Sequence, residues 1–211
     1  MSKARLVIVN VLGIVVALAL IAGGAYYYNQ STNYLQTDEA KVSADMMPVV
    51  APATGKLTGW NVQEGASVTS GAELGKVSEG QNAVSVASQM AGTVIKNQVR
   101  NDQTVQAGQI LAQVADMNHL YITANIKETD VQDIKEGDSV DIKVDGEPDT
   151  VFEGKVEKMG YATNSVFALM PQQTTSGSYT KVTQKVPVKI SIKNASDNVL
   201  PGMNAQIKIS K

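Results

Sequence analysis

The sequence predicts a mainly β protein behind an N-terminal transmembrane helix, and three observations carry that expectation. A pattern written twice, 37 residues apart, fills the middle of the chain. Strict alternation marks the C-terminal part: Val140, Ile142 and Val144 alternate with Asp141 and Lys143, and Lys185 to Lys193 reads the same way. Period two is the signature of a half-buried strand. An apolar run of 23 residues, Leu6 to Tyr28, stands at the start.

Residues 1–5 are the cytoplasmic tip, with Lys3 and Arg5. Residues 6–28 form the anchor: at ~1.5 Å per residue they span ~34 Å, enough for a hydrocarbon core of ~30 Å. No basic residue follows until Lys41, whereas Asp38 and Glu39 precede it. The excess of positive charge before the run puts the N-terminus in the cytoplasm and everything after Tyr28 outside. The run is longer than the ~7–15 residues of a signal-peptide core, and Ala22-Gly23-Gly24 is a poor cleavage site, so the anchor is expected to stay. Residues 29–36 are a polar tether. Residues 37–49 are a lead-in strand toward the β domains.

The repeat occupies residues 50–115, as copies 50–77 and 87–114. With Gly55 set on Gly92, Val62 falls on Val99, Val68 on Val105, Gly71 on Gly108, Leu74 on Leu111 and Val77 on Val114. The shared step is three residues, which is neither helical nor simple strand spacing. Short strands broken by tight turns produce it. Gly65 and Gly71 then take φ > 0, and Asp102, which replaces Gly65 in the second copy, is among the few residues that tolerate that conformation. Gly55, Gly65, Gly71, Gly92, Asp102 and Gly108 are the expected fold-defining turns. A single copy is too small to bury both faces of such strands, so the two are expected to close on each other about a pseudo-twofold axis.

This doubled V-x2-G-x2-V-x2-G-x2-L-x2-V pattern resembles the barrel-sandwich hybrid of lipoyl and biotinyl domains, in the form found in membrane fusion proteins of the HlyD and EmrA kind. Carrier domains of that fold present a modified Lys between their halves. No Lys occurs from Val77 to Gln89, so neither a lipoyl nor a biotin cofactor is expected. Larger family members insert a long helical hairpin at the same place. The eight residues Ser78 to Ser85 are too few for two helices, which need ~20 or more, so this is a short form without the hairpin.

Residues 116–211 read as a second β unit. Thr129 with Gln132 suggests a capping box for a helical turn, Gly137 its end, and Asp145-Gly146 a tight hairpin. Thr37 to Asp45 resembles the TDDAYV segment of EmrA-like proteins, and Glu128, Asp130, Gly137, Val140 and Ile142 resemble a motif of the family's small β-barrel domain. Phe167 to Ile192 is similar to the EmrA-type segment FxLLPxQNATGNWxKVxQRxPVRI, through Phe167, Pro171, Gln173, Gly177, Lys181, Val182, Gln184, Pro187 and Val188. Tyr179 stands where that pattern has Trp.

The resemblance implies a membrane-anchored adaptor of a multidrug or small-molecule exporter. Its expected partners are an inner-membrane transporter of the major-facilitator type, the bilayer through residues 6–28, and further copies of itself as a homo-oligomer. Phe167, Met170, Pro171 and Tyr179 are the expected partner-facing residues. Two other readings share the fold: an accessory subunit of an ATP-driven exporter, and a surface-anchored structural or signalling module.

Composition narrows the rest. A net charge of −2 gives no electrostatic case for nucleic acid. With no Cys and a single His, thiolate and His-rich metal sites have no ligands. His119 near Asp116, and Met46 beside Met47, are the nearest approaches to a metal site, and no metal is expected at either. Asp141, Asp145, Glu147 and Asp149 lack calcium-loop spacing, and Lys127, Lys135 and Lys143 are interleaved with the acids of Glu128 to Glu153, as on a solvated face. No catalytic triad, carboxylate pair or phosphate loop is present, so no enzyme activity is expected. Trp60, the sole Trp, is expected in the core, with a partner contact as the alternative.

Overall fold

The computed structural model describes residues 12–13, 15–24, 33–80, 82–167 and 183–211, without the side chains of Glu79 and Phe167. Two compact units result. One takes the residues up to Ala40, Ala124–Lys193 and Asn204–Lys211; the other takes Lys41–Thr123 and Asn194–Met203.

In the second of these, the first copy of the repeat forms β2 (Met46–Val50), β3 (Gly55–Thr58), β4 (Ser67–Val68) and β5 (Glu73–Glu79). The second copy forms β6 (Asn82–Ala87), β7 (Gly92–Asn97), β8 (Thr104–Val105) and β9 (Ile110–Ala115). They pair as two four-stranded sheets, in the orders β2-β9-β7-β4 and β6-β5-β3-β8. Each sheet therefore draws two strands from each copy, and exchanging the copies maps one sheet onto the other. Between the sheets lie Leu57, Val77, Val94, Val105, Leu111 and Val114, all fully buried. Burying an aliphatic side chain of this size is worth about 1.5–3 kcal/mol, and neither copy buries its own set alone.

The turns tie the copies together. Gly65 and Asp102 have φ of 86° and 66°, and Gly71 and Gly108 have 80° and 81°. The Gly65 amide donates to the Val94 carbonyl and the Asp102 amide to that of Leu57, both at 2.8 Å. The Gly71 amide donates to the Ser88 carbonyl and that of Gly108 to Ala51, at 2.7 and 2.8 Å. Every one of these bonds crosses from one copy to the other.

Gly55 and Gly92 are not turn residues. They open β3 and β7 without positive φ. Their requirement is space: a Cβ on Gly55 would fall inside the Ser78 carbonyl oxygen, and one on Gly92 inside that of Ala115. The repeat thus mixes two kinds of glycine, one needed for conformation and one for strand proximity.

Six strands close a barrel in the order β1-β10-β13-β12-β11-β14. They are β1 (Tyr34–Ser43), β10 (Tyr121–Lys127), β11 (Ser139–Val144), β12 (Phe152–Met159), β13 (Lys185–Ile192) and β14 (Asn204–Ser210). Alternation decides which side chains line the interior: Val140, Ile142 and Val144 are buried while Ser139, Asp141 and Lys143 are exposed. β1 is a barrel strand, although the lead-in stretch was expected only to rise toward the β domains. Closing the barrel removes the sheet edges that β1 and β14 would otherwise leave open.

Two local expectations differ. Asp145-Gly146 forms the centre of a turn, closed by the Glu147 amide donating to the Val144 carbonyl (2.9 Å), but a second turn, Thr150 to Glu147 (3.1 Å), follows it, so the β11–β12 connection is longer than a two-residue hairpin. The helical turn is a short 3-10 segment, Val131–Asp133, with no side-chain cap. The Thr129 hydroxyl donates instead to Asp130 Oδ1 at 2.8 Å, so the capping box does not form.

Much of the expected anchor, residues 6–28, lies outside the described residues. Among the described residues no helix is long and apolar enough to cross a membrane. Met170, Pro171 and Tyr179 also lie outside them. Phe167 ends the short 3-10 turn Asn164–Phe167, and its side chain lies outside the described set.

Candidate functional site

The link between the copies is itself structure. Ser78 to Ser85 reads as a polar connection, yet it forms the paired ends of β5 and β6, in register from Lys76↔Ser85 to Glu79↔Asn82, around Gly80 at φ 62°. The polar residues concealed the strands, because only one face of this hairpin meets the core. The tip carries no lysine.

The pseudo-symmetry supplies an internal control for the outer faces of the two sheets. On the β5–β6 face, Ser85 Oγ donates to Glu73 Oε2 at 2.6 Å, and Lys76 Nζ lies 3.5 Å from Glu73 Oε1. The Ser85 hydrogen bond, more than the Lys76 charge, holds the Glu73 carboxyl below its usual range. Thirty-seven residues away, the equivalents of Glu73, Ser85 and Lys76 are Ile110, Pro48 and Gln113. Met46 and Val50 flank Pro48 on the same side of β2, and Val50 pairs with Ile110. Met46, Val50 and Ile110 all remain exposed. One face is thus polar and internally paired, whereas its equivalent is an apolar stripe. Comparing the two copies position by position is the signal by which sequence reading would have found it.

At one end of the sandwich, Val62, Glu64, Asn97, Val99, Arg100 and Gln103 are among the residues around an open polar cleft of about 740 Å³. Asn97 organises it, and sequence reading missed it. Its Oδ1 accepts from the Trp60 indole Nε1 (3.2 Å) and the Val99 amide (3.3 Å), and its Nδ2 donates to the Val62 carbonyl (2.9 Å). Trp60 and Asn97 are equivalent positions of the two copies, bonded to each other across the pseudo-axis. Trp60 is buried, as a core residue.

Asp116 and His119 are brought together. His119 Nδ1 lies 2.7 Å from Asp116 Oδ2, and the Asn118 amide donates to Asp116 Oδ1 at 3.0 Å. The His119 hydrogen bond is the main cause that holds the Asp116 carboxyl below its usual range; burial opposes it. Among the described residues no three His, Asp or Glu side chains stand close enough to share a metal ion. The pair is a structural clamp. A carboxyl whose folded pKa is depressed binds fewer protons in the folded state, so it stabilises above the unfolded value and ceases to as pH falls through the folded one. Asp116→Asn is expected to lower the thermal midpoint at neutral pH, and the gap to the wild type should close below about pH 4. A gap that persists unchanged into acid would contradict this role.

In the barrel unit, β1 and β10 border a groove of about 190 Å³ lined by Leu35, Thr37, Glu39, Asn125, Lys127 and Asp130, among others. The two ends of the stretch that carries the expected partner-facing residues are fastened beside it. Asn164 Nδ2 donates to Asn125 Oδ1 at 2.8 Å, the Glu128 amide donates to the Gln184 carbonyl at 3.0 Å, and Lys185 Nζ pairs with the Glu39 carboxylate.

Residues 45–116 match the YhbJ barrel-sandwich hybrid domain family, and residues 120–209 match the YknX-like β-barrel domain family. The chain is 60% identical over 211 residues to a Bacillus subtilis protein described as an efflux system component, YhbJ, covering 100% of this chain and 95% of that one. It is 32% identical over 126 residues to the colistin resistance protein EmrA of Acinetobacter baumannii, which covers 59% of this chain but only 36% of the longer relative. Among solved structures, the membrane fusion protein Spr0693 of Streptococcus pneumoniae aligns with a TM-score of 0.62 at 15% identity, over 84% of this chain and 99% of that one. The periplasmic adaptor protein EmrA aligns with a TM-score of 0.54 at 13% identity, over 85% of this chain and 99% of that one. At these identities the structural likeness shows the fold alone.

Proposed function

This chain belongs to the HlyD/EmrA-type membrane fusion proteins of efflux systems, and from that premise we propose that it is the anchored adaptor of an exporter, holding its two β units against the outer face of an inner-membrane transporter. The observation that carries this reading is the 60% identity along the full chain to an efflux component, joined to the interlocked sandwich and the six-stranded barrel. As an adaptor it is a structural component, not an enzyme.

The finer assignments rest on the sequence. Residues 6–28 anchor the chain in the cell membrane, with the N-terminus in the cytoplasm and the β units outside. The partner is of the major-facilitator type, which the EmrA-like segment Phe167–Val188 supports, and Phe167, Met170, Pro171 and Tyr179 face it. No lipoyl or biotinyl group is attached, and an intact mass equal to the calculated one is expected. The β5–β6 hairpin takes the place of the projecting helical arm. Copies of the chain meet through the apolar stripe of Met46, Pro48, Val50 and Ile110, the face that lacks the polar pairing of its pseudo-equivalent.

One experiment tests the complex. Purification of the full chain in mild detergent should bring down a polytopic transporter with more than one copy of the chain, and Ile110→Glu should reduce the number of copies per complex. Deleting residues 1–28 should abolish the resistance conferred by the pair and leave a folded, soluble protein. Repeated recovery of the chain alone, together with resistance that survives the deletion, would overturn the adaptor reading.

A further inference from the structure

One end of the barrel is tied to the start of the described chain beyond the anchor. The Lys211 amide donates to the Asn33 carbonyl at 2.9 Å, so the end of β14 meets the start of β1. The pairs Val140↔Ile209 and Ser139↔Lys155 bring the start of β11 and the later half of β12 to that same end, and Met159↔Val188 brings the start of β13. Residues 160–167 continue directly from β12 there.

That turn is held firmly. The Gly160 amide donates to the Pro187 carbonyl at 2.8 Å, and a Cβ on Gly160 would come within 2.7 Å of the same oxygen. Asn164 is fastened to Asn125, and the Val166 amide donates to the Thr163 carbonyl at 3.1 Å. On this framework Tyr161 is 91% exposed and Val166 69% exposed, the most exposed aromatic and aliphatic side chains among the described residues outside the N-terminal segment. Lys158 Nζ stands 5.4 Å from the Tyr161 ring centroid, and at the same end Lys208 Nζ stands 3.9 Å from that of Tyr34. A rigid turn that offers a bare tyrosine, an aliphatic side chain and a lysine is suited to the boundary between headgroups and acyl chains. There the ring sits at the interface and the ammonium reaches the phosphates.

The chain length brings a bilayer within reach. Tyr28 and Asn33 are separated only by residues 29–32, so their Cα atoms are at most about 18 Å apart. The polar zone of each leaflet takes up roughly 5–7 Å of that span. The acids of the turn at this end, Asp130, Asp133 and Glu136 among them, offset its lysines, so the contact is interfacial and not a matter of net charge.

We propose that this end of the barrel rests on the outer leaflet, with Tyr161 and Val166 inserted at the headgroup boundary. The proposal depends on residues 6–28 being the anchor, and the test separates the two. The full chain carrying Y161W is reconstituted into phosphatidylcholine vesicles with and without brominated acyl chains, alongside the wild type and a V151W variant at the opposite end of the barrel. Brominated lipid is expected to quench the emission added by Y161W and to spare that of Trp60 and of V151W. Raising the salt should leave the quenching unchanged. Failure of the wild type to float with vesicles would overturn the anchor and the proposal together. Flotation with Y161W emission unquenched would overturn the proposal alone, and would mean that another part of this chain or a protein partner covers the turn.

Discussion

Gly92→Val is expected to destabilise the sandwich by about 3 kcal/mol or more, at the upper end of what overpacking costs. A Cβ at this position falls inside the Ala115 carbonyl oxygen, 2.8 Å from the carbonyl carbon and 3.0 Å from Val114 Cγ1. The first two are backbone atoms in the β7–β9 ladder, where Thr93 pairs with Ala115 and Val94 with Val114. They cannot step aside without breaking the sheet. Gly55→Val should behave alike, since its Cβ meets the Ser78 carbonyl in the equivalent place. Gly65→Asp is the control: its φ of 86° is demanding, but a Cβ there meets nothing within 4 Å, and Asp102 occupies the equivalent turn in the second copy. It should cost about 1 kcal/mol or less. Urea unfolding followed by the emission of Trp60 reads both. Equal midpoints for Gly92→Val and Gly65→Asp would refute the distinction between the two kinds of glycine.

Asn97→Ala is expected to cost about 2 kcal/mol, more than an ordinary surface substitution, because it leaves the buried indole N–H of Trp60 without its acceptor. It also frees the Val99 amide and the Val62 carbonyl. Trp60 is the sole Trp, so its emission reports the change directly, moving to longer wavelength as water reaches the ring. Asn97→Asp keeps an oxygen acceptor for the indole and should recover part of the loss. An unshifted spectrum and unchanged stability in Asn97→Ala would mean that the bond between the two copies at this point carries no weight.

These two residues show why the fold was more legible than its surfaces. The repeat could be read because its apolar positions obey the same burial demand in both copies, so Leu74 and Leu111, or Val77 and Val114, recur at one spacing. Asn97 is invisible to such a reading: its equivalent is Trp60, and nothing about an Asn at the end of a strand announces three side-chain hydrogen bonds. The hairpin of Ser78 to Ser85 is hidden for a related reason, since strands with one wet face look like linkers when their outer residues are Ser and Asn. Thr129 and Gln132 looked like a capping box, but the segment is too short and too tightly turned for a cap to form. The apolar stripe on β2 and β9 was present in the letters, and only the pairing of Val50 with Ile110 brought it onto one surface.

By itself the sequence determined the class of this protein. Two matched half-motifs and an alternating C-terminal part demand paired strands, because a single half-motif leaves apolar side chains and open strand edges in water. The tertiary structure alone decided how that demand is met. Each sheet takes strands from both copies, β1 joins the barrel from the far end of the chain, and two sequence-equivalent faces become one polar and one apolar surface. Such choices depend on which strands lie side by side, and side-by-side placement is fixed by hydrogen bonds and contacts between residues remote in sequence, which no local spacing encodes.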